Sequence, residues 1–67
     1  MAKKDYHAML DGDRWAVMGD GNKRPSSRHD TQREAWAATV DMAKKAGSTA
    51  FKHGKDGSVK EQRSYEA

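Results

Sequence analysis

The sequence contains no cysteine and only one proline, and hydrophobic residues make up 34% of its 67 residues. Without cysteine the chain can form neither a disulfide nor a thiolate metal site. A chain of this length buries only about 60% of the surface that its unfolded form exposes, so its stability is marginal. Because small domains without such cross-links often add core by associating, the sequence predicts a homodimer rather than a monomer.

Long apolar runs and a strong charge of one sign are also absent. No apolar stretch approaches the roughly 18 residues that a membrane span needs. No apolar region follows the charged N-terminal residues, as a secretory signal would require. We therefore expect a cytoplasmic protein with no membrane partner. The net charge of +3, from 13 Lys and Arg against 10 Asp and Glu, permits nucleic-acid binding but does not require it.

Two β-hairpins, one on each side of a helix, are predicted from alternating apolar residues and Asp-Gly dipeptides. Residues 6–10 and 14–18 are joined through Asp11-Gly12, a dipeptide that favours a type I′ turn with positive φ at both residues. Residues 49–53 and 58–65 are joined through Asp56-Gly57, with Phe51 expected to face inward. The final strand is so polar that we expect it at a sheet edge or against a partner chain. Residues 23–28 form either a short third strand or a loop, because Pro25 excludes a central position.

The helix is predicted over residues 32–46. Thr31 and Glu34 fit a capping box at its start, and Gly47 suits the left-handed position after its end. The side chains expected to face the sheet are Ala35, Trp36, Thr39, Met42, Ala43 and Ala46. The predicted fold is a single α+β domain over residues 1–67, with residues 1–4 as an N-terminal tail. Its antiparallel sheet has the order ββαββ, or βββαββ if residues 23–28 form a strand, with one helix packed on one face.

Five segments, in this order and at this spacing, resemble a known family. They are Tyr6-His7, Trp15-Ala16-Val17, Asp30-Thr31-Gln32-Arg33-Glu34-Ala35, His53-Gly54-Lys55-Asp56-Gly57 and Arg63-Ser64-Tyr65. The sequence is similar over nearly its whole length to the small bacterial and phage proteins grouped as domain of unknown function 2188. The resemblance implies a fold of the kind predicted above and implies no activity. At His29 the sequence departs from the family, whose members usually carry an aromatic or large apolar residue there.

The sequence offers little support for catalysis or for a metal centre. The histidines His7, His29 and His53 lack the short local spacings typical of zinc ligands. His7 and His53 occupy corresponding parts of the two hairpins and could meet only through the fold. The aspartates lie at turns, where they bond to local backbone N–H groups, and no nucleophile elbow or phosphate-binding loop is present. We expect no enzymatic activity, no cofactor and no metal.

The candidate binding surface is the basic segment from residue 23 to residue 29, which no acidic residue interrupts. Lysine and arginine neutralise phosphates, so this segment favours weak nucleic-acid binding. The residues predicted to take part are Lys23, Arg24, Arg28, Lys52 and Lys55, the last two if the second hairpin lies beside the segment. Two alternatives remain open. The segment is a solvated loop, or the protein binds a protein partner through a sheet edge by β-augmentation.

Overall fold

The computed structural model describes residues 4–21 and 24–65 and contains one helix and a five-stranded sheet in these ranges. Three strands precede the helix and two follow it. In chain order the elements are β1 (Tyr6–Asp11), β2 (Arg14–Gly19), β3 (Ser27–His29), α1 (Gln32–Ala46), β4 (Thr49–His53) and β5 (Val59–Ser64). The α+β class with one helix is confirmed. Of the two predicted element orders, βββαββ is the one found.

The sheet is mixed, so the prediction of a purely antiparallel sheet is wrong. The strand order is β3-β2-β1-β4-β5, and the central pair β1 and β4 is parallel. The cause is β3, which pairs antiparallel with β2 and therefore reverses the chain once more before the helix. β3 therefore runs in the same direction as β1, and α1 carries the chain back across the sheet. β4 then starts at the same end as β1 and runs parallel to it, as in other helical crossovers.

The core lies between α1 and one face of the sheet. Ala8 on β1, Trp15 and Val17 on β2 and Ala35 on α1 form its buried cluster. Trp36 and Met42 of the helix are half-buried and pack against this cluster, as predicted, and Ala38 joins them. Ala35, Thr39 and Ala43 are buried as expected, whereas Ala46, the last residue of the helix, is exposed.

Both helix ends form as the sequence predicts. The Thr31 hydroxyl accepts a hydrogen bond from the backbone N–H of Glu34 at 3.2 Å. Gly47 adopts a left-handed conformation with φ of 66°, and its N–H donates to the last turn. The first hairpin differs from its prediction, because only Gly12 has positive φ and Asp11 pairs with Arg14. The central residues are thus 12 and 13, and positive φ at the first of them alone is typical of a type II′ turn.

The second face of the sheet is not covered by any element among the described residues. Phe51 lies on this face, so the prediction that it points into the core is wrong, and its neighbour Ala50 is the buried residue. The parallel register sets this outcome, since Tyr6 pairs with Ala50 and His7 pairs with Phe51. The apolar side chains on the uncovered face are Met9, Ala16, Met18 and Phe51. No helix in the described ranges is long and apolar enough to cross a membrane.

Candidate functional site

The basic segment borders an open groove at the β3 edge of the sheet. The groove has a volume of about 500 Å³ and is lined by Arg24, Pro25, Ser27 and Arg28. Pro25 precedes β3, so the strand begins only at Ser27 and stays at the edge, as predicted for a proline-limited segment. The structure thus brings together two of the predicted phosphate-binding residues, Arg24 and Arg28.

Arg28 is shared between this groove and a carboxylate. Its guanidinium lies 3.3 Å from a carboxylate oxygen of Asp11, and both side chains are about half exposed, at 56% and 50%. Exposed pairs of this kind contribute only about 0–1 kcal/mol. The pair therefore orients the Arg28 side chain, but it is weak enough for another anion to compete with Asp11 for the guanidinium.

Of the other predicted phosphate-binding residues, Lys52 and Lys55 do not line the groove. Lys23 lies outside the described residues. Lys52 faces the helix side of the sheet, where its ammonium lies 3.3 Å from Glu61 and 5.7 Å from the centre of the Trp36 ring. Lys55 is exposed in the turn after β4. Because β3 and β4 run in the same direction, the segment before β3 and the turn after β4 lie at opposite ends of the sheet.

A chain of polar contacts crosses the uncovered face beside Phe51. His7 Nδ1 and His53 Nε2 stand 2.8 Å apart, so the two hairpins do bring these histidines together. The Nε2–H of His7 donates to Asp20 at 2.6 Å, and the Nδ1–H of His53 donates to the Gly57 carbonyl at 2.9 Å. The His7 ring also stacks on Phe51 at 4.9 Å between centroids. Within the described residues no three His, Asp or Glu side chains converge on one point as a metal centre.

The second hairpin turn explains where His53 points. Asp56 accepts hydrogen bonds from the backbone N–H and the hydroxyl of Ser58, at 3.1 and 2.8 Å. These bonds, the hydroxyl first, lower the pKa of Asp56, with a smaller effect of Lys60. Gly57 follows with φ of +86°, and its carbonyl then faces the His53 ring. The Asp56-Gly57 dipeptide therefore forms the turn and also orients the His53 ring.

The outer strand β5 carries a line of charges along the edge of the sheet opposite the groove. Glu61 accepts a hydrogen bond from Arg63 at 2.8 Å and lies 3.3 Å from Lys52. Arg63, and then Lys52, lower the pKa of Glu61, and the same carboxylate raises the pKa of Arg63. Of the two positions expected for this polar strand, a sheet edge or a partner chain, the sheet edge is the one found within the described residues.

Sequence reasoning did not connect Asp20 with either histidine. The residue stands in a turn cluster that local backbone bonding already explains. Its carboxylate reaches His7 because Asp20 immediately follows β2, whose last residue, Gly19, pairs with Tyr6. Only the hairpin register, which the Asp11-Gly12 signal partly encodes, could have indicated that contact.

Comparison with known proteins agrees with the resemblance seen in the sequence. A family model described as an uncharacterized protein conserved in bacteria, DUF2188, matches residues 6–65. No curated protein and no solved structure matched the chain. The match covers all five strands and the helix, including both histidines of the uncovered face. The chain therefore belongs to the DUF2188 family of uncharacterised bacterial proteins.

Proposed function

We propose that this chain is a small cytoplasmic, non-enzymatic binding module that holds the phosphate backbone of nucleic acid weakly at the groove of Arg24 and Arg28. The observation that carries this proposal is that two arginines, Arg24 and Arg28, line one open groove of about 500 Å³. The net charge of +3 gives the whole chain a mild attraction for a polyanion.

The chemistry of the groove suits a phosphate. Guanidinium groups present planar pairs of N–H donors that match two phosphate oxygens at once. The segment is also open rather than enclosed, so a backbone can run past it. A phosphate that binds Arg28 displaces only its exposed pair with Asp11, which costs about 0–1 kcal/mol. The nearby carboxylate limits the affinity and keeps the contact weak.

The contact we propose does not read base sequence. Phe51, the only phenylalanine of the chain, is stacked against His7, which occupies one face of its ring. Single-stranded readers of base sequence stack successive bases on exposed aromatic rings. The groove instead offers charge and hydrogen-bond donors, which position a backbone without selecting bases.

Fluorescence anisotropy with labelled single-stranded and duplex oligonucleotides at about 50 mM salt tests this proposal. The double variant Arg24→Gln/Arg28→Gln is expected to bind at least ten times more weakly than the wild type. The matched control is Arg33→Gln/Lys45→Gln, which removes the same charge from exposed positions of α1. If the wild type forms no complex at high micromolar concentration, or both double variants weaken binding equally, the proposal is wrong.

A second candidate function is self-association through β5, and a specific observation favours it. The outer edge of β5 faces no other strand within the described residues, and such an edge is a template for pairing with another chain. Two copies of β5 paired antiparallel about Gln62 would place Glu61 of each chain opposite Arg63 of the other. Opposite charges at facing positions stabilise such pairs. We therefore propose a homodimer with one continuous sheet.

Light scattering and sedimentation test this homodimer. The expected mass is twice the 7.5 kDa of one chain. Arg63→Glu places like charges opposite each other across the two-fold axis and is expected to weaken the dimer at least tenfold. Lys60→Glu is the matched control, because the same register places residue 60 opposite Ser64, which carries no charge. A mass of one chain at every concentration, or equal effects of the two variants, would rule out this arrangement.

A further inference from the structure

The two facing nitrogens of His7 and His53 are both hydrogen-bond acceptors when the rings are neutral. Asp20 and the carbonyl of Gly57 can only accept from the outer ring nitrogens, so these two nitrogens carry the N–H protons. In neutral rings the remaining nitrogens, His7 Nδ1 and His53 Nε2, then hold lone pairs. They nevertheless stand 2.8 Å apart and point at one another. A positively charged species between them satisfies both lone pairs.

We propose that His7 Nδ1 and His53 Nε2 are two ligands of a site for a divalent transition-metal ion of the Zn²⁺, Ni²⁺ or Cu²⁺ type. Neutral imidazole nitrogen is a preferred ligand for these ions. The proposal does not depend on the nucleic-acid groove or on the dimer. The cluster of His7, His53 and Asp20 takes part in neither the groove nor the dimer contact.

The surroundings of each ring match those of metal-ligating histidines. Such residues almost always donate the second ring N–H to a carboxylate or a backbone carbonyl, which fixes the tautomer and the ring orientation. His7 donates to the Asp20 carboxylate and His53 donates to the Gly57 carbonyl. The negative charge of Asp20 behind His7 also offsets part of the charge of a bound cation. Both orienting partners are therefore in place before an ion arrives.

Only a small movement opens the site. Two nitrogens bound to one Zn²⁺ at about 2.0–2.1 Å in tetrahedral geometry stand roughly 3.4 Å apart. The present separation is 2.8 Å, so the rings must part by a few tenths of an ångström and turn so that both lone pairs point at one ion. Both rings lie on the uncovered face, where the His7 side chain is 21% exposed.

Two protein ligands leave open coordination positions. No third His, Asp or Glu side chain in the described ranges converges on the same point. Water or a ligand atom of another molecule then completes the coordination of the ion. A closed structural zinc site has four protein ligands, so this site would hold its ion exchangeably rather than maintain the fold.

Calorimetric titration of the untagged chain with Zn²⁺, and separately with Ni²⁺, at about neutral pH tests the proposal. We expect one ion per chain and selective changes in the ring ¹⁵N signals of His7 and His53. His7→Gln and His53→Gln should each lower the affinity at least tenfold. Asp20→Asn should lower it about tenfold through the lost orientation of His7. His29→Gln is the control and should leave the affinity unchanged, because His29 lies across the sheet on β3.

Two results would overturn the inference. If the wild type gives no binding heat and no ring ¹⁵N change, the two histidines bind no ion and are joined only by a shared proton. If His7→Gln and His53→Gln bind the ion as tightly as the wild type, the ion sits elsewhere. Circular dichroism of each variant checks its folding. If a histidine variant does not fold, the ring signals of the wild-type chain decide the outcome by themselves.

Discussion

At the scale of single residues, the core of this protein is built from small side chains. Four alanines on the helix side of the sheet and on the facing side of α1 are completely buried, namely Ala8, Ala35, Ala43 and Ala50. The largest fully buried side chains are Val17, Thr39 and Ser48. Side chains this small let α1 approach the sheet closely. Trp15 is the one large ring of the buried cluster, and Trp36 packs against that cluster. The stability of the fold then depends more on the short distance between α1 and the sheet than on the size of any one core side chain.

Enlarging a core alanine should therefore be costly. Ala35 lies on α1 and is completely buried against the strands. The larger side chain of Ala35→Leu therefore forces the helix away from the sheet. Overpacking of this kind typically lowers the free energy of unfolding by about 1–3 kcal/mol. Urea unfolding followed by circular dichroism measures the loss. Ala37→Leu, at an exposed position of the same helix, should change stability by less than about 0.5 kcal/mol, and equal losses would refute this view of the core.

Residue-scale prediction from the sequence failed where hydrophobicity was the only guide. Phe51 was expected to face inward, yet the buried position belongs to Ala50. Alternation shows that the two residues face opposite sides but does not say which side is covered. The register with β1 decides that question, and the parallel pairing was not predicted. The contact of His7 with Asp20 was missed for a different reason, because it depends on the exact register of the β1–β2 hairpin.

At the scale of elements, three residues determine the topology. The short strand β3 spans only Ser27–His29, and its presence decides whether β4 runs parallel or antiparallel to β1. Its sequence carries no strong strand signal and follows a proline, so both element orders were consistent with it. The helix is the opposite case. Its start and end were predicted to the residue because the cap at Thr31 and the left-handed Gly47 are encoded locally.

The turn between β4 and β5 should make the fold sensitive to acid. The Ser58 hydroxyl and backbone N–H lower the pKa of Asp56 in the folded chain from its usual value of 3.8. The unfolded chain therefore binds a proton at this carboxyl more readily than the folded chain does. The stabilisation is fully present above the usual value and is lost as the pH falls through the lower, folded value. Glu61 shifts in the same direction because of Arg63 and Lys52.

Asp56→Asn tests this contribution of the turn. The variant should be less stable than the wild type at neutral pH, and its free energy of unfolding should fall less steeply below about pH 4. Urea unfolding at a series of pH values supplies the measurement. Asp13→Asn, in the exposed turn of the first hairpin, should retain the steep acid dependence of the wild type. An Asp56→Asn profile parallel to that of the wild type would show that the turn does not contribute.

At the scale of the whole molecule, the sheet separates the candidate surfaces. The groove of Arg24 and Arg28 lies at the β3 edge, and the self-complementary strand lies at the β5 edge. A dimer joined through β5 would leave both grooves accessible at the two ends of a ten-stranded sheet. Nine strand spacings separate the two outer strands, or about 43 Å. The grooves would then contact phosphates that are far apart on a polyanion, so the dimer and the nucleic-acid contact are compatible.

The salt dependence of nucleic-acid binding tests the central claim most directly. If Arg24 and Arg28 neutralise two phosphates, the logarithm of the binding constant should fall against the logarithm of salt concentration with a slope near −2 per groove. The Arg24→Gln/Arg28→Gln variant should have a slope near zero, while the variant with two charges removed from α1 should keep the wild-type slope. Binding that is unaffected between about 50 and 200 mM salt, or a slope unchanged by loss of both arginines, would contradict the account.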